Sequence, residues 1–209
     1  YDAIAAHVPL DEVEAVLDFG CGCGRVTRYW AGFGASVAGS DLDRAAVEWC
    51  RGNLPFGRFE VNGLEPPLAF ENESFDLVYA LSVFTHLPSE LQLAWRDELL
   101  RVLRPGGYLL VTTHGRSYLP RLEPAERERF ERGELVVRWA DLPGTNLCSA
   151  YHPERYLRET FANGLELVEL VPEGALGNPT QDLVVCRTPA SPDSLDERPP
   201  SSLADAQSS

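Results

Sequence analysis

The chain has 209 residues and a formal charge of −14, from 32 Asp and Glu against 18 cations. All of the cations are Arg, and neither Lys nor Met occurs anywhere. Without Lys there is no Schiff-base enzyme, no pyridoxal-phosphate site of the usual kind and no P-loop Gly-Lys-Ser/Thr.

The acidic balance argues against a phosphate-tracking nucleic-acid binder and against a polybasic membrane anchor. No apolar stretch approaches the ~20 residues of a membrane span. The N-terminus lacks the basic, apolar, small-residue order of a signal peptide. It starts at Tyr1, so the chain is expected to begin downstream of its natural start or to be processed. Five irregularly spaced Cys fit a reducing compartment, the cytoplasm, better than a disulfide framework. The length suits one domain with a sizeable core.

Ala15–Phe19 predicts a buried strand ending at Gly20. Arg25–Phe33 predicts a helix closed by Gly32 and Gly34. Ala35–Ser40 predicts the second strand, Asp43 the N-cap of a helix over Arg44–Gly52, and Phe56–Val61 the third strand. Asn62–Glu73 is a loop, and Phe75–Ala80 predicts the fourth strand. Ser89-Glu90-Leu91-Gln92 fits a capping box after Pro88. Leu91, Trp95, Leu99 and Val102 then form one apolar stripe at helical spacing. Arg104–Gly107 is a turn before a fifth strand, Tyr108–Thr113. This alternation predicts a parallel sheet covered on both faces.

After His114 the rhythm breaks. A charged helix is expected over Leu119–Arg132, a short strand over Glu134–Trp139, a loop over Leu142–Ser149 and a helix over Pro153–Phe161. Leu165–Val171 and Asp182–Arg187 predict an antiparallel pair at the sheet edge. Residues 115–160 read as a substrate-side insertion in a domain spanning 1–187. Residues 188–209, rich in Pro, Ser and acid, read as a disordered tail. Four acids there face only Arg198, so most of the −14 belongs to the body.

The stretch Val16-Leu17-Asp18-Phe19-Gly20-Cys21-Gly22-Cys23-Gly24-Arg25 carries the chemistry. A buried strand runs into a glycine-rich turn, whose backbone can approach a ligand closely. Asp41 follows at the end of the second strand, where a carboxylate can accept hydrogen bonds from both hydroxyls of a ribose. Together they describe a site for an adenine nucleoside at the carboxyl ends of the first strands. The dinucleotide fingerprint G-x-G-x-x-G does not fit, because Arg25 stands where its third glycine belongs.

Asp18-x-Gly20-x-Gly22-x-Gly24 resembles the first motif of class I S-adenosylmethionine-dependent methyltransferases. Four further segments agree in the family's order: Gly39–Asp43, Asn62-Gly63, Ser74–Ala80 and Leu100–Gly107. The resemblance implies a Rossmann-like, doubly wound α/β sheet of seven strands, order 3-2-1-4-5-7-6, with strand seven antiparallel. It implies S-adenosylmethionine as cofactor and S-adenosylhomocysteine as product. By that resemblance Gly20, Gly22 and Gly24 would line the methionine part, and Asp18 would orient its amino group. Asp41 would hold the ribose, Leu42 would pack on the adenine, and Asn62 and Gly63 would meet its edge. Ala80, Leu81 and Ser82 would floor the sulfonium.

The implied activity is methyl transfer to an oxygen or nitrogen of a small-molecule acceptor, without nucleic acid or membrane as partner. His86 and His114 are the candidate catalytic bases. Arg25 could meet the cofactor carboxylate or an acidic acceptor, but a solvent-exposed helix cation is the preferred reading. Cys21 and Cys23 lack C-x-x-C spacing, so they are expected to fill space, and no metal is expected. Trp30, Trp49 and Trp95 are expected in the core, with Trp139 a candidate pocket wall. Two other readings stay open: a nucleoside-binding module of this fold without catalysis, and an NAD-dependent oxidoreductase. The second is disfavoured by Arg25 and by the lack of any Tyr-x-x-x-Lys pair.

Overall fold

The computed structural model describes residues 2–190. Short strands buried along their whole length organise it. β1 (Ala15–Phe19) is buried at every position, and β4 (Phe75–Ala80) at every position but Asp76. β2 (Ser36–Asp41) and β3 (Gly57–Val61) complete one half. β5 (Leu103–Thr113), β8 (Glu166–Ala175) and β9 (Gln181–Arg187) form the other. The sheet order is β3-β2-β1-β4-β5-β9-β8, with β9 antiparallel to both neighbours. This is the expected order, β8 and β9 being the sixth and seventh strands of the sheet. A separate hairpin pairs β6 (Val136–Arg138) with β7 (Ser149–Tyr151).

Side-chain alternation explains why these strands read as continuous apolar runs. Leu17, Val78, Leu109 and Val184 face one layer, where Trp95, Leu99 and Val102 of α3 (Ser89–Val102) cover them. Val16, Leu77, Leu110 and Val185 face the other, under Ile4 of α1 (Asp2–Ala5), Val8 and Trp30. Asp43 caps α2 (Arg44–Asn53), accepting from the N–H groups of Ala45 and Ala46.

Several local expectations are corrected. The helix over Arg25–Phe33 is only a 3-10 turn, Thr27–Trp30. Side-chain partners win there: the Thr27 hydroxyl donates to Asp18 and the Trp30 indole to the Tyr79 hydroxyl. The capping box at Ser89 does not form. Pro88 is the N-cap, without a side-chain cap, and Gln92 turns inward to donate to the Phe84 and Leu87 carbonyls. The turn Arg104–Gly107 is a bulge inside β5. Pairing jumps from Leu103 to Tyr108 while β4 advances from Phe75 to Leu77, and Gly106 takes φ +78°. The charged helix over Leu119–Arg132 breaks into a 3-10 segment, Arg116–Arg121, and α4 (Pro124–Glu131), which starts at a helix-initiating proline. Trp30 and Trp95 are buried, but Trp49 is 42% exposed, on the outer face of α2.

Of the segment 188–209, residues 191–209 lie outside the described residues. Thr188 still docks on the β5 bulge, its N–H donating to Gly107 and its hydroxyl to Arg104. Among the described residues no helix is long and apolar enough to cross a membrane.

Candidate functional site

The glycine-rich turn leaves β1 with Gly20 at φ +79°, Gly22 at +51° and Gly24 at +65°. These are left-handed conformations, which glycine adopts without a Cβ penalty. Space also matters at two of them. A Cβ on Gly20 would stand 2.3 Å from Val83 Cγ2, and one on Gly24 would stand 2.3 Å from Leu54 Cδ1.

Asp41 ties the turn to β2. One carboxylate oxygen accepts from Gly22 N–H at 2.7 Å and the other from Asp43 N–H at 2.8 Å. Each oxygen keeps a second lone pair for a ligand. Asn62 stands beside it, accepting from the Ser40 hydroxyl at 2.7 Å and donating to Gly63 O at 2.7 Å.

These residues border a cavity of about 480 Å³ at the carboxyl ends of the strands. Gly20, Asp41, Leu42, Asn62, Gly63, Leu81, Ser82 and His86 all line it. Gly22, Gly24, Ala80, Asp18 and His114 are not in its wall. Asp18 lies beneath the turn, 4% exposed, accepting from the Thr27 hydroxyl at 2.5 Å and the Tyr79 hydroxyl at 2.9 Å. Burial pushes its carboxyl up to about 6, against the opposing pull of those two hydrogen bonds.

Sequence reasoning missed the cavity's cover. Gly144, Thr145 and Asn146, in the connection from β6 to β7, close its outer side. Gly144 donates its N–H to His86 O at 2.9 Å, and a Cβ there would stand 3.1 Å from Leu64 Cδ1 and 3.3 Å from Leu42 Cδ2. His86 Nδ1 meets Cys148 O at 2.8 Å. A carbonyl only accepts, so Nδ1 carries the proton and Nε2 keeps a free lone pair. Trp95, which the helical stripe marked as core, is 2% exposed yet forms part of the wall, donating to Leu64 O at 2.8 Å.

His114 sits behind this wall, stacked on Tyr118 at 4.1 Å between centroids, with Tyr151 at 5.6 Å. Its Nε2 is held by Gln181 at 3.3 Å. Burial, with His86 nearby, lowers it to about 4, so it is neutral at neutral pH. His152 is buried against Gln92 and lowered to about 3 by burial. Trp139 is 57% exposed and not in the cavity wall. Arg25 is exposed. Cys21 is buried and Cys23 exposed, both as free thiols. Among the described residues no group of His, Cys, Asp and Glu could hold a metal.

Residues 17–111 match the family model described as a methyltransferase domain. This match and the seven-stranded sheet support a class I S-adenosylmethionine-dependent methyltransferase. It is 35% identical over 139 residues to the malonyl-[acyl-carrier protein] O-methyltransferase of Enterobacter lignolyticus, covering 63% of this chain and 51% of that protein. It is 40% identical over 116 residues to phthiotriol/phenolphthiotriol dimycocerosates methyltransferase 1 of Mycobacterium ulcerans, covering 54% and 41%. The chain thus spans about half the length of these relatives. A solved S-adenosylmethionine-dependent methyltransferase from Methanosarcina mazei shares the fold at TM-score 0.69 and 20% identity, over 91% of this chain and 99% of that one.

S-adenosylmethionine is the cofactor this methyltransferase family implies. The residues present fit it. The turn leaves open space above Gly22, where a Cβ would meet nothing within 4 Å. A carboxylate, Asp41, and the apolar side chains Leu42, Leu64 and Leu81 suit a ribose and a flat purine in one cavity.

Proposed function

We propose that the chain transfers a methyl group to an oxygen atom of a small-molecule acceptor, a nitrogen acceptor being the alternative. The observation that carries this is His86, in the cavity wall with Nδ1 held by Cys148 O and Nε2 free. The O-methyltransferase among the relatives supports oxygen.

When bound, S-adenosylmethionine supplies an electrophilic methyl group on a cationic sulfonium. Asp41 would hold the ribose hydroxyls through its remaining lone pairs, and Leu42, Asn62 and Gly63 would border the adenine. Gly20 would run beside the methionine part, with the open space at Gly22 next to it, and Leu81 and Ser82 would form the floor. Gly24 and Ala80 stand outside the cavity wall and shape the turn and the strand end. Asp18 acts from below, steadying the turn through Thr27 rather than meeting the amino group. His86 takes the acceptor's proton at Nε2, and the Cys148 carbonyl stabilises the resulting imidazolium. His114, with Nε2 engaged by Gln181, is a positioning residue. The Gly144–Asn146 strap excludes water from the reacting atoms. Five free thiols suit a reducing compartment, the cytoplasm.

The test is methyl transfer from labelled S-adenosylmethionine to a panel of small carboxylic acids, phenols, alcohols and amines. Transfer to at least one oxygen acceptor is expected. His86→Ala should slow transfer to a hydroxyl about 10²–10⁴-fold, the range of a lost general base. Cofactor binding without turnover across the panel would sink the proposal in favour of a non-catalytic module.

A further inference from the structure

Ser82 follows β4 into the cavity wall with φ +59°, a conformation that a residue with a Cβ keeps only where its surroundings enforce it. Those surroundings are polar and buried. Its N–H donates to Thr112 Oγ1 at 2.8 Å, and its hydroxyl donates to Gln181 Oε1 at 2.9 Å. The Thr112 hydroxyl donates to that same Oε1 at 2.6 Å. Gln181 Nε2 donates to His114 Nε2 at 3.3 Å.

Gln181 is 4% exposed and Thr112 1%. A buried amide is costly unless its partners are met, and beyond Asp182 the strand continues with the aliphatic side chains of Leu183, Val184 and Val185. A leucine at 181 would remove the amide but leave the Ser82 and Thr112 hydroxyls and His114 Nε2 without this partner. The polar residue is therefore explained by what it holds.

We infer that Gln181 is a positioning residue for the cofactor: with Thr112 it locks Ser82 in its left-handed conformation under the cavity and fixes the His114 ring behind it. Relaxing that φ would swing Val83, whose Cγ2 lies 2.3 Å from where a Gly20 Cβ would stand, and so move the wall facing the glycine turn. The inference rests on the proposed placement of the cofactor over Ser82.

The experiment is calorimetric titration of the full chain with S-adenosylhomocysteine, well below each variant's melting temperature. Gln181→Leu and Thr112→Val should each bind at least tenfold more weakly than wild type. Thr112→Ser, which keeps the hydroxyl, should restore affinity. Val185→Ala, a core change on the same strand, should lower the melting temperature and leave affinity within twofold. Thr112→Val is nearly isosteric and keeps the test alive if Gln181→Leu does not fold. Affinity within twofold of wild type in Thr112→Val or a folded Gln181→Leu overturns the inference, as does an equal loss in Val185→Ala. Asp41→Ala separates the two levels. If it weakens binding while the Gln181 and Thr112 variants do not, only the positioning role fails. If it too has no effect, the cofactor placement falls as well.

Discussion

His86 and Cys148 are joined at 2.8 Å, Nδ1 to backbone carbonyl, across 62 residues of chain. The same histidine's carbonyl receives Gly144 N–H, so both ends of the strap over the cavity close on one residue. His86 thus holds the cover of the site with one side-chain and one backbone hydrogen bond.

Removing that bond should loosen the strap without unfolding the domain. In His86→Ala the Gly144 bond to the residue 86 carbonyl survives, but Cys148 O loses its donor. Hydrogen exchange of a peptide spanning 142–148 should speed up several-fold, because local opening draws on few remaining contacts. The pair of β6 and β7 should exchange as in wild type. Unchanged exchange in 142–148 would mean that packing against Leu42 and Leu64 alone holds the cover.

Asp41 accepts two backbone N–H groups before any ligand arrives. Asp41→Ala strands the Gly22 and Asp43 donors and removes the carboxylate offered to the ribose. Affinity for S-adenosylhomocysteine should fall by roughly 1–3 kcal/mol, the range for losing charge-assisted bonds. Asp41→Asn keeps one acceptor oxygen and should lose less. Equal affinities for Asp41→Ala and wild type in a calorimetric titration would remove Asp41 from the site.

The chemistry beneath the turn gives a pH signature. Asp18 rises from 3.8 to about 6 on folding, mainly through burial. Between those values the native state holds the proton more often than the unfolded chain. The contribution of Asp18 to stability therefore falls as pH climbs from about 4 to about 6, by up to about 3 kcal/mol, and levels off above. Asp18→Asn cannot titrate, and its amide oxygen can still accept from Thr27 and Tyr79. The difference in unfolding free energy between wild type and Asp18→Asn should slope through that window in urea titrations at stepped pH. A flat difference would show that Asp18 is ionised throughout.

Much of this arrangement was legible because parallel strands deliver their carboxyl ends to one edge. Asp41, Asn62 and Ser82 each follow a strand that could be read from its apolar run. What could not be read comes from distant chain segments. Gln181 meets Ser82 across 99 residues, and no local pattern ties them. Gly144 covers the cavity from a connection without periodicity. The helix over Arg25–Phe33 failed for a related reason. Thr27 and Trp30 are β-branched and aromatic, weak helix formers, and both have buried polar partners in the Asp18–Tyr79 pair.

The contact between Gly20 and Val83 makes a double-mutant cycle decisive about the turn. Gly20→Ala carries two costs: a Cβ at φ +79°, and a methyl group 2.3 Å from Val83 Cγ2. The first is about 1–2 kcal/mol and the second about 1–3 kcal/mol. Val83→Ala removes the offending methyl, leaving Val83 Cβ at 3.7 Å, an ordinary contact. Gly20→Ala should then cost only its conformational share in the Val83→Ala background. Unfolding free energies of the four proteins should give a coupling of about 1–3 kcal/mol in favour of the double variant. Additive costs would mean that Val83 moves aside freely and that the turn demands glycine at position 20 for its backbone angle alone.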